Sequence, residues 1–252
     1  MTTEPYDRYD YRAFWTKRNY ENFADAFAIT QILKSLEYPR RHLLDLGGGY
    51  GRNIPICAPY CRKMTLLDPS SHNIENAKKF LGSQKNIELV IGKGEALPFK
   101  NGDFDTILSI RVSHHFSDLK PLLAECYRVL EPGGVFIFEV ANKLHFKSRI
   151  GAFLRGRSKE LHSLENIDRR SKENRHGATI DFVNHHPAKV VQLLTEVCFT
   201  VKIDRSVSNF RSPLANKPVF QQIFSALEPL LQRLLASSWF GPSLYLIAIK
   251  KK

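Results

Sequence analysis

The sequence lacks any run of the roughly 18 to 20 consecutive apolar residues that a membrane-spanning helix needs. Residues 1–11 are acidic and rich in tyrosine, without the charged-then-apolar layout of a signal peptide. We therefore expect a cytoplasmic protein, and peripheral contact with a membrane surface stays open.

Cysteine is scarce as well, with four residues in a chain of 252. This is too few for the disulfide framework of a small secreted protein. Cys57 and Cys61 stand one helical turn apart, so a metal site is an alternative to two reduced thiols in the core. We expect the thiols and predict no metal.

Acidic residues are scarce only in the second part of the chain. Residues 1–142 carry 18 Lys and Arg against 17 Asp and Glu, whereas residues 143–252 carry 19 against 8. The net charge of +12 therefore lies almost wholly after residue 142. Such a basic part suits nucleic acid, a phosphorylated substrate or an anionic membrane, and it equally suits a solvated surface.

Short apolar segments alternate with helical patterns along the chain, and there is no internal repeat. The segments that read as strands are 42–46, 64–67, 87–91, 104–109, 135–140, 199–204 and 243–249, and regular structure is also expected at 179–183. The segments that read as helices are 15–36, 53–60, 73–81, 119–130, 187–195 and 219–235, the last kinked or restarted at Pro229. Because the first five strands are largely apolar and do not alternate, we predict a doubly wound α/β domain with a mostly parallel sheet.

A glycine-rich loop at residues 45–51 follows the first predicted strand. Its glycines let the backbone turn sharply and lie against a ligand. A GxGxxG nicotinamide loop counted from Gly47 would place its third glycine where this chain has Arg52, which disfavours an oxidoreductase. Asp68 ends the next strand about 20 residues after the loop, where a carboxylate accepts hydrogen bonds from ribose hydroxyls. Loop and carboxylate together predict an adenosine-containing ligand.

Five motifs in this order resemble the class I S-adenosylmethionine-dependent methyltransferases. Residues 45–51 resemble D-x-G-x-G-x-G, and residues 65–70 resemble the strand with the ribose-binding acid. Residues 92–99 with Phe104-Asp105 resemble G-D-A-E-x-L-P-F and F-D. Residues 109–116 resemble a post-strand segment with paired histidines, and residues 122–139 contain a turn similar to R-x-L-K-P-G-G. The resemblance implies S-adenosylmethionine as cofactor and a seven-stranded sheet that ends in an antiparallel hairpin.

The resemblance also implies where the cofactor binds. The implied cofactor residues are Asp45, Gly47, Gly48, Gly49, Gly51, Asp68, Pro69, Gly94, Glu95, Ala96 and Ser109. Lys93 departs from the family, which has an aspartate there for the adenine amino group, because lysine donates but does not accept hydrogen bonds. We expect Glu95 and the backbone of residues 94 and 95 to hold the adenine instead.

Two further groups of side chains are assigned to this edge of the sheet. His114 and His115 are candidate proton acceptors for the methyl-accepting group, and structural packing of the following turn is the alternative. The N-terminal aromatics Tyr6, Tyr9, Tyr11, Trp15 and Tyr20 are candidates to cover the pocket, with Tyr11 and Tyr20 contacting the methionine carboxylate or the substrate. A plain amphipathic helix explains the same residues.

The pattern of the C-terminal part allows more than one interpretation. Residues 143–177 are predicted to be an inserted, mobile segment, and the His185-His186-Pro187 sequence a helix start. The apolar residues of 219–240 are expected to pack in the core, the alternatives being a lipid-like substrate pocket or a membrane contact.

We therefore predict a single domain in four parts. Residues 1–36 form an N-terminal helical cover, 37–142 the cofactor-binding core, 143–198 a basic cap, and 199–252 the hairpin strands with an apolar helical insertion. The predicted function is methyl transfer from S-adenosylmethionine to a small or lipophilic acceptor. An RNA methyltransferase that uses the basic cap and a non-catalytic cofactor-binding protein are the alternatives.

Overall fold

The computed structural model describes residue 7 and residues 11–36, 40–170 and 180–252. The described helices are α1 (Tyr11–Thr16), α2 (Asn19–Ser35), α3 (Ile54–Cys57), α4 (Ser71–Leu81), α5 (Lys120–Val129), α6 (Phe146–Leu154), α7 (Ser158–His162), α8 (Pro187–Glu196) and α9 (Pro218–Leu234). The described strands are β1 (Arg40–Leu46), β2 (Cys61–Asp68), β3 (Ile87–Ile91), β4 (Phe104–Ser109), β5 (Leu130–Ala141), β6 (Ile167–Asp168), β7 (Val183–Asn184), β8 (Phe199–Val207) and β9 (Ser243–Lys250).

Seven of these strands form one sheet in the order β3-β2-β1-β4-β5-β9-β8. The first five run parallel, and β9 is antiparallel to both β5 and β8. This confirms the predicted doubly wound sheet and its final hairpin. The strand order reverses between β1 and β4, which is where such sheets open a crevice at their carboxyl edge.

Helices cover both faces of the sheet, which explains why β4 is buried along its whole length. On one face Leu122 of α5 and Leu194 of α8 pack into a cluster with Phe136. On the other face Ile29 of α2 and Ala77 of α4 pack into a second cluster. The sheet therefore holds its carboxyl edge rigidly between two apolar layers.

Several predicted boundaries are wrong in ways that have local causes. The helix predicted at 15–36 is two helices, because Arg18 has φ −128° and ψ 51° outside the helical region. The helix predicted at 53–60 ends at Cys57 and continues as a 3₁₀ turn that contains Pro59. Leu130 already pairs with Phe104, and an irregularity in register follows, so the Pro-Gly-Gly turn lies inside β5.

The cap region contains more regular structure than predicted. Residues 143–170 include α6, α7 and β6, so this part is regular where the sequence showed only a loosened pattern. Its mobility stays a prediction. The side chain of His145 accepts a hydrogen bond from the backbone N–H of Ser148 and caps α6. Residues 171–179 lie outside the described residues, as do Tyr6 and Tyr9. The end of the predicted insertion and the first residue of the regular segment expected at 179–183 therefore have no described structure.

The last long helix departs most from expectation. α9 continues through Pro229 without a second start. Its buried residues are Glu228 and Gln232, whereas six of its apolar side chains are exposed. The expected core packing of residues 219–240 is therefore wrong for the apolar side of this helix. His186 is the residue before α8, as predicted for a helix start.

Candidate cofactor and acceptor site

A cavity of about 1840 Å³ lies at the carboxyl edge of the sheet, where the strand order reverses. Leu46 at the end of β1 and Asp68 at the end of β2 line it, together with Ile110 directly after β4. Pockets for a single small ligand typically measure about 300–1,000 Å³. The cavity therefore has room for a nucleotide-sized cofactor and a second molecule.

The glycine-rich loop lies between β1 and α3 and faces this cavity. A Cβ at Gly47, which has φ +70°, would lie 2.5 Å from Cγ2 of Val112, so the turn passes too close to its neighbour for any side chain. Gly49 has φ +57°, and a Cβ there would meet no atom within 4 Å among the described residues. Its position next to open space fits a backbone that a ligand approaches.

Asp68 connects the loop to the helix that follows β2. One carboxylate oxygen accepts a hydrogen bond from the backbone N–H of Gly49 at 2.9 Å. The other accepts from the N–H of Ser70 and from the side-chain amide of Asn73, both at 3.0 Å. Burial raises the pKa of Asp68, against these three hydrogen bonds. The carboxylate lines the cavity and is positioned from three sides to receive further donors.

The loop after β3 forms another side of the cavity, near Asp68. Lys93, Gly94 and Glu95 line the cavity, and Glu95 is exposed. A Cβ at Gly94 would lie 2.6 Å from Cδ1 of Leu122, so glycine is required there by packing. The structure thus brings the proposed adenine-binding residues to the same cavity as Asp68.

Nine of the predicted site residues line the cavity and five do not. Those that line it are Gly47, Gly48, Gly49, Asp68, Pro69, Gly94, Glu95, His114 and His115. Those that are not among its lining residues are Tyr20, Asp45, Gly51, Ala96 and Ser109.

The residues outside the cavity have other roles in the fold. Tyr20 is fully buried, and its hydroxyl donates to Glu228 at 2.6 Å, so it does not face the cofactor space as predicted. A Cβ at Gly51 would lie 2.8 Å from Cδ1 of Leu81, which places this glycine against α4. Ser109 is buried within the sheet. Of the described N-terminal aromatics, Tyr11 and Trp15 do line the cavity.

Asp45 lies directly behind the loop, since a Cβ at Gly48 would be 2.7 Å from its Oδ2. Neither buried carboxylate oxygen makes a hydrogen bond of good geometry among the described residues, although the Asn53 side chain is close enough to lower the pKa of Asp45. Burial raises the pKa of Asp45 to about 7, although Arg52 opposes the shift. An orphaned carboxylate behind the cofactor loop fits a ligand that brings positive charge, and S-adenosylmethionine has both an ammonium and a sulfonium group.

Asp68→Ala is expected to weaken binding of S-adenosylhomocysteine about 100-fold, because hydrogen bonds to a charged acceptor contribute about 1.5–3 kcal/mol each. Isothermal titration calorimetry measures the loss. Asp68→Asn is the matched control, since it keeps the shape and one acceptor oxygen, and we expect a smaller loss of about tenfold. Equal affinity of wild type and Asp68→Ala, with both proteins folded, would show that Asp68 does not hold the ribose.

Two histidines extend the cavity beyond the cofactor end. His114 and His115 follow β4 in a 3₁₀ turn, with ring centroids 4.0 Å apart. Burial lowers the pKa of His115 to about 4 and that of His114 well below its ordinary value. Nδ1 of His115 lies 3.2 Å from the carbonyl oxygen of Asp181. Both imidazoles are therefore neutral at pH 7 and do not repel a sulfonium.

A buried ion network forms the floor beside the histidines and was not predicted from the sequence. Arg111, two residues after β4, has φ 63° and donates to both carboxylate oxygens of Asp25 at 2.9 and 3.2 Å. Its backbone N–H donates to Glu139 at 3.0 Å. Arg52 binds Asp25 at 3.3 Å and stacks on Trp15 at 3.8 Å. The available signals were an arginine just past an apolar strand and a glutamate inside β5.

Aromatic rings and arginines line the remaining part of the cavity. Phe146 of α6 stacks on Phe240 with centroids 4.7 Å apart, and Phe182 meets His114 at 4.9 Å. Arg211 also lines the cavity, and its Nε lies 4.0 Å from a carboxylate oxygen of Glu21. This part of the cavity therefore combines apolar aromatic surface with positive charge.

Comparison with known proteins gives a consistent result. Residues 44–138 match the family described as "Methyltransferase domain". The uncharacterized methyltransferase YcgJ of Bacillus subtilis is 30% identical over 123 residues, which are 48% of this chain and 49% of that protein. A fatty-acid O-methyltransferase of Mycolicibacterium smegmatis is 31% identical over 100 residues, 39% of this chain and 36% of that protein. The chain thus spans half or less of these two relatives.

The fold is shared with solved methyltransferases over nearly the whole chain. One is the 1,6-didemethyltoxoflavin-N1-methyltransferase of Burkholderia thailandensis with bound 1,6-didemethyltoxoflavin and S-adenosylhomocysteine, at a TM-score of 0.59 and 17% identity. The match covers 96% of this chain and 83% of that one. Residues 44–138 of this chain therefore match the methyltransferase-domain family, and the chain has the fold of the class I S-adenosylmethionine-dependent methyltransferases.

Proposed function

We propose that this protein transfers a methyl group from S-adenosylmethionine to a small, lipophilic acceptor. The observation that carries the proposal is one continuous cavity lined at one end by Gly49, Asp68 and Glu95 and at the other by Phe146, Phe182 and Phe240. The first set is suited to an adenosyl group, and the second to an apolar molecule.

The cofactor, when bound, supplies an electrophilic methyl group on a sulfonium. The protein's role is to hold the acceptor atom in line with that methyl group. Methyl transfer is an in-line displacement, so alignment of the acceptor atom at about 3 Å provides much of the rate gain. The loop between β1 and α3 and the turn after β4 are anchored in a rigid sheet, which suits this task. The aromatic rings offer the acceptor an apolar contact surface.

The charge of the acceptor end favours a molecule that carries an acidic group. Arg169 and Arg211 line the cavity in addition to the fully engaged Arg111. Burial and repulsion from Arg111 and Arg18 lower the pKa of Arg211, so an anion next to it would be stabilised. The M. smegmatis relative is described as acting on fatty acids, which is consistent with this chemistry.

Calorimetric titration with S-adenosylmethionine and S-adenosylhomocysteine tests the cofactor half of the proposal. We expect both to bind, and binding by neither would reject it. A methyl-transfer screen over lipophilic acids and their neutral analogues tests the acceptor half. Cofactor binding without turnover on any acceptor would favour a non-catalytic protein, and turnover on RNA, with binding that weakens steeply with salt, would favour an RNA methyltransferase.

His114→Asn is expected to lower kcat by about 30-fold while the dissociation constant of S-adenosylhomocysteine stays within about twofold. The neutral imidazole of His114 accepts a hydrogen bond from the acceptor in this proposal, so its loss affects the reaction and not cofactor binding. Single-turnover kinetics with a saturating acceptor measure the change. His115→Asn serves as the comparison, because that ring already faces the backbone of Asp181. An unchanged rate in His114→Asn would assign both histidines to packing.

A further inference from the structure

The helix α9 presents its polar side to the protein. Glu228 is buried and accepts hydrogen bonds from the Tyr20 hydroxyl at 2.6 Å and from the Ser208 N–H at 2.7 Å. Gln232, one turn later, is also buried and donates to the carbonyl of Ala24 at 3.0 Å. These bonds fix the rotation of the helix about its axis. Its opposite side must therefore face outward.

That outward side is almost wholly apolar. Its exposed large apolar residues are Val219, Phe220, Ile223, Leu227, Leu230 and Leu234. The exposed polar residues of the helix are Gln222 and Arg233. Leu230 and Leu234 are 72% and 70% exposed, values that a core residue does not reach. Single exposed apolar residues are ordinary on proteins, but a row at helical spacing over four turns marks an interaction surface.

The helix α6 adds a second exposed apolar row beside the end of α9. Ile150, Phe153 and Leu154 are 44%, 76% and 76% exposed. The backbone N–H of Phe146 donates to the carbonyl of Phe240 at 2.8 Å, and Arg149 donates to that of Ser238 at 2.9 Å. α6 is thus joined to the segment that directly follows α9. We name the nine exposed side chains of α9 and α6 the apolar helical face.

Positive charge predominates around this face. Residues 146–159 and 211–240 contain eight exposed Lys and Arg, and their one acidic residue is the buried Glu228. Two of the eight have acidic partners outside these ranges, since Arg157 pairs with Glu160 at 2.7 Å and Arg211 lies 4.0 Å from Glu21. The eight are Lys147, Arg149, Arg155, Arg157, Lys159, Lys217, Arg233 and Arg211. Elsewhere on the surface opposite charges pair, as in the Lys63–Glu88 and Arg41–Glu131 pairs. A row of apolar residues bordered by cations complements a surface that is apolar beneath anionic groups.

We propose that the apolar helical face docks on an anionic phospholipid bilayer, with α9 and α6 lying in the interfacial region. The Leu and Phe side chains enter the acyl boundary, and the flanking Lys and Arg bind lipid phosphates. A second copy of the chain fits this face less well, because a two-fold interface would bring the same cations near one another. The docking does not depend on methyl transfer.

The same two helices contribute to the cavity. Phe146 and Lys147 of α6 and Phe224 of α9 are among its lining residues. Docking would therefore hold the acceptor end of the cavity next to the lipid. This consequence, unlike the docking itself, rests on the proposed function.

Vesicle flotation of the full chain without cofactor tests the proposal. We expect binding to phosphatidylcholine vesicles that contain phosphatidylglycerol, with much weaker binding to phosphatidylcholine alone. Leu230→Gln with Leu234→Gln should weaken binding to anionic vesicles about tenfold or more, through lost burial of apolar surface. Arg155→Gln with Arg233→Gln should weaken it by about tenfold as well, through lost attraction to the lipid phosphates.

Ile91→Gln provides the matched control. Ile91 is 58% exposed and lies on β3, the edge strand opposite β8, so its replacement should leave flotation unchanged. All variants change exposed residues, and an unchanged thermal midpoint confirms that they fold. Absence of wild-type flotation, or equal flotation of wild type and the double leucine variant, would overturn the proposal. The proposal would also be overturned if the wild type bound no vesicles and sedimented as a dimer that the double leucine variant abolished.

Discussion

Replacement of Arg111 by methionine is expected to lower the free energy of unfolding by about 3–5 kcal/mol, the cost of removing one partner from a buried ion pair. Asp25 is fully buried and would keep Arg52 and the hydroxyl of Tyr245. Glu139 is 1% exposed, and its carboxylate would lose the Arg111 guanidinium, which lies 3.8 Å away. The variant therefore leaves a buried carboxylate without its cation.

Urea unfolding at neutral pH measures this change. Arg41→Met is the matched control, because Arg41 pairs with Glu131 on the surface with 54% of its side chain exposed, and we expect a loss below about 1 kcal/mol. Adding Glu139→Gln to Arg111→Met should recover part of the stability, since a neutral amide is less costly to bury than a carboxylate. A loss in Arg111→Met no larger than in Arg41→Met would show that the network does not support the fold.

The positive φ of Arg111 makes this residue informative about function as well. Its backbone is held in a left-handed conformation, and its guanidinium reaches Asp25 of α2, Ser243 of β9 and Ser208. Three parts of the chain that are distant in sequence thus meet under the acceptor end of the cavity. The network fixes the turn that positions His114, so it acts on the site through geometry.

Asp45→Asn is expected to stabilise the cofactor-free protein at pH 8 by up to about 4 kcal/mol, because each pKa unit corresponds to about 1.36 kcal/mol. Burial raises the pKa of Asp45 from 3.8 to about 7 in the folded protein. A raised carboxyl pKa means that the folded state binds the proton more tightly than the unfolded chain. The stability of the wild type should therefore fall as pH rises from about 4 to about 7 and level off above that.

The comparison across pH separates this effect from a simple change in packing. At pH 4 both proteins carry a neutral side chain at position 45, so their free energies of unfolding should agree closely. Glu88→Gln is the control, since Glu88 is exposed in an ion pair with Lys63 and its replacement removes the same charge. A gain for Asp45→Asn that is equal at pH 4 and pH 8 would contradict the ionisation argument.

Binding of the cofactor should reduce the gain at pH 8. The ionised Asp45 lies behind the loop that approaches the cofactor, and a cationic ligand group favours the ionised form. Urea unfolding with saturating S-adenosylhomocysteine, which retains the ammonium group, measures this effect. The cost of the buried charge in the free protein is thus linked to recognition of the ligand.

The local sequence was sufficient for the framework. Apolar runs separated by helical patterns predicted the parallel strands, because a strand buried on both faces needs apolar residues at every position. The glycines of residues 45–51 and Asp68 predicted the cofactor end, because a tight turn and a buried acid at a strand end leave clear signals. The later motifs from Lys93 to His115 come to the same cavity.

Residues whose role depends on distant partners could not be assigned in this way. Tyr20 suited a cofactor cover by sequence position, but its hydroxyl bonds Glu228, 208 residues away in the chain. Arg111 meets Asp25 and Ser243 across separations of 86 and 132 residues. No local pattern reports such pairings, because they depend on which helices the sheet brings together.

The glycine-rich loop, the seven-stranded sheet and the basic second part of the chain follow from the sequence itself, because each depends on residue types that are close in the chain. Tertiary structure decided which face of α9 is exposed. Hydrophobic periodicity identifies an apolar stripe but does not say what covers it. Here the buried hydrogen bonds of Glu228 and Gln232 outweighed that stripe, since polar groups that leave water need partners, and they turned the leucines toward the solvent.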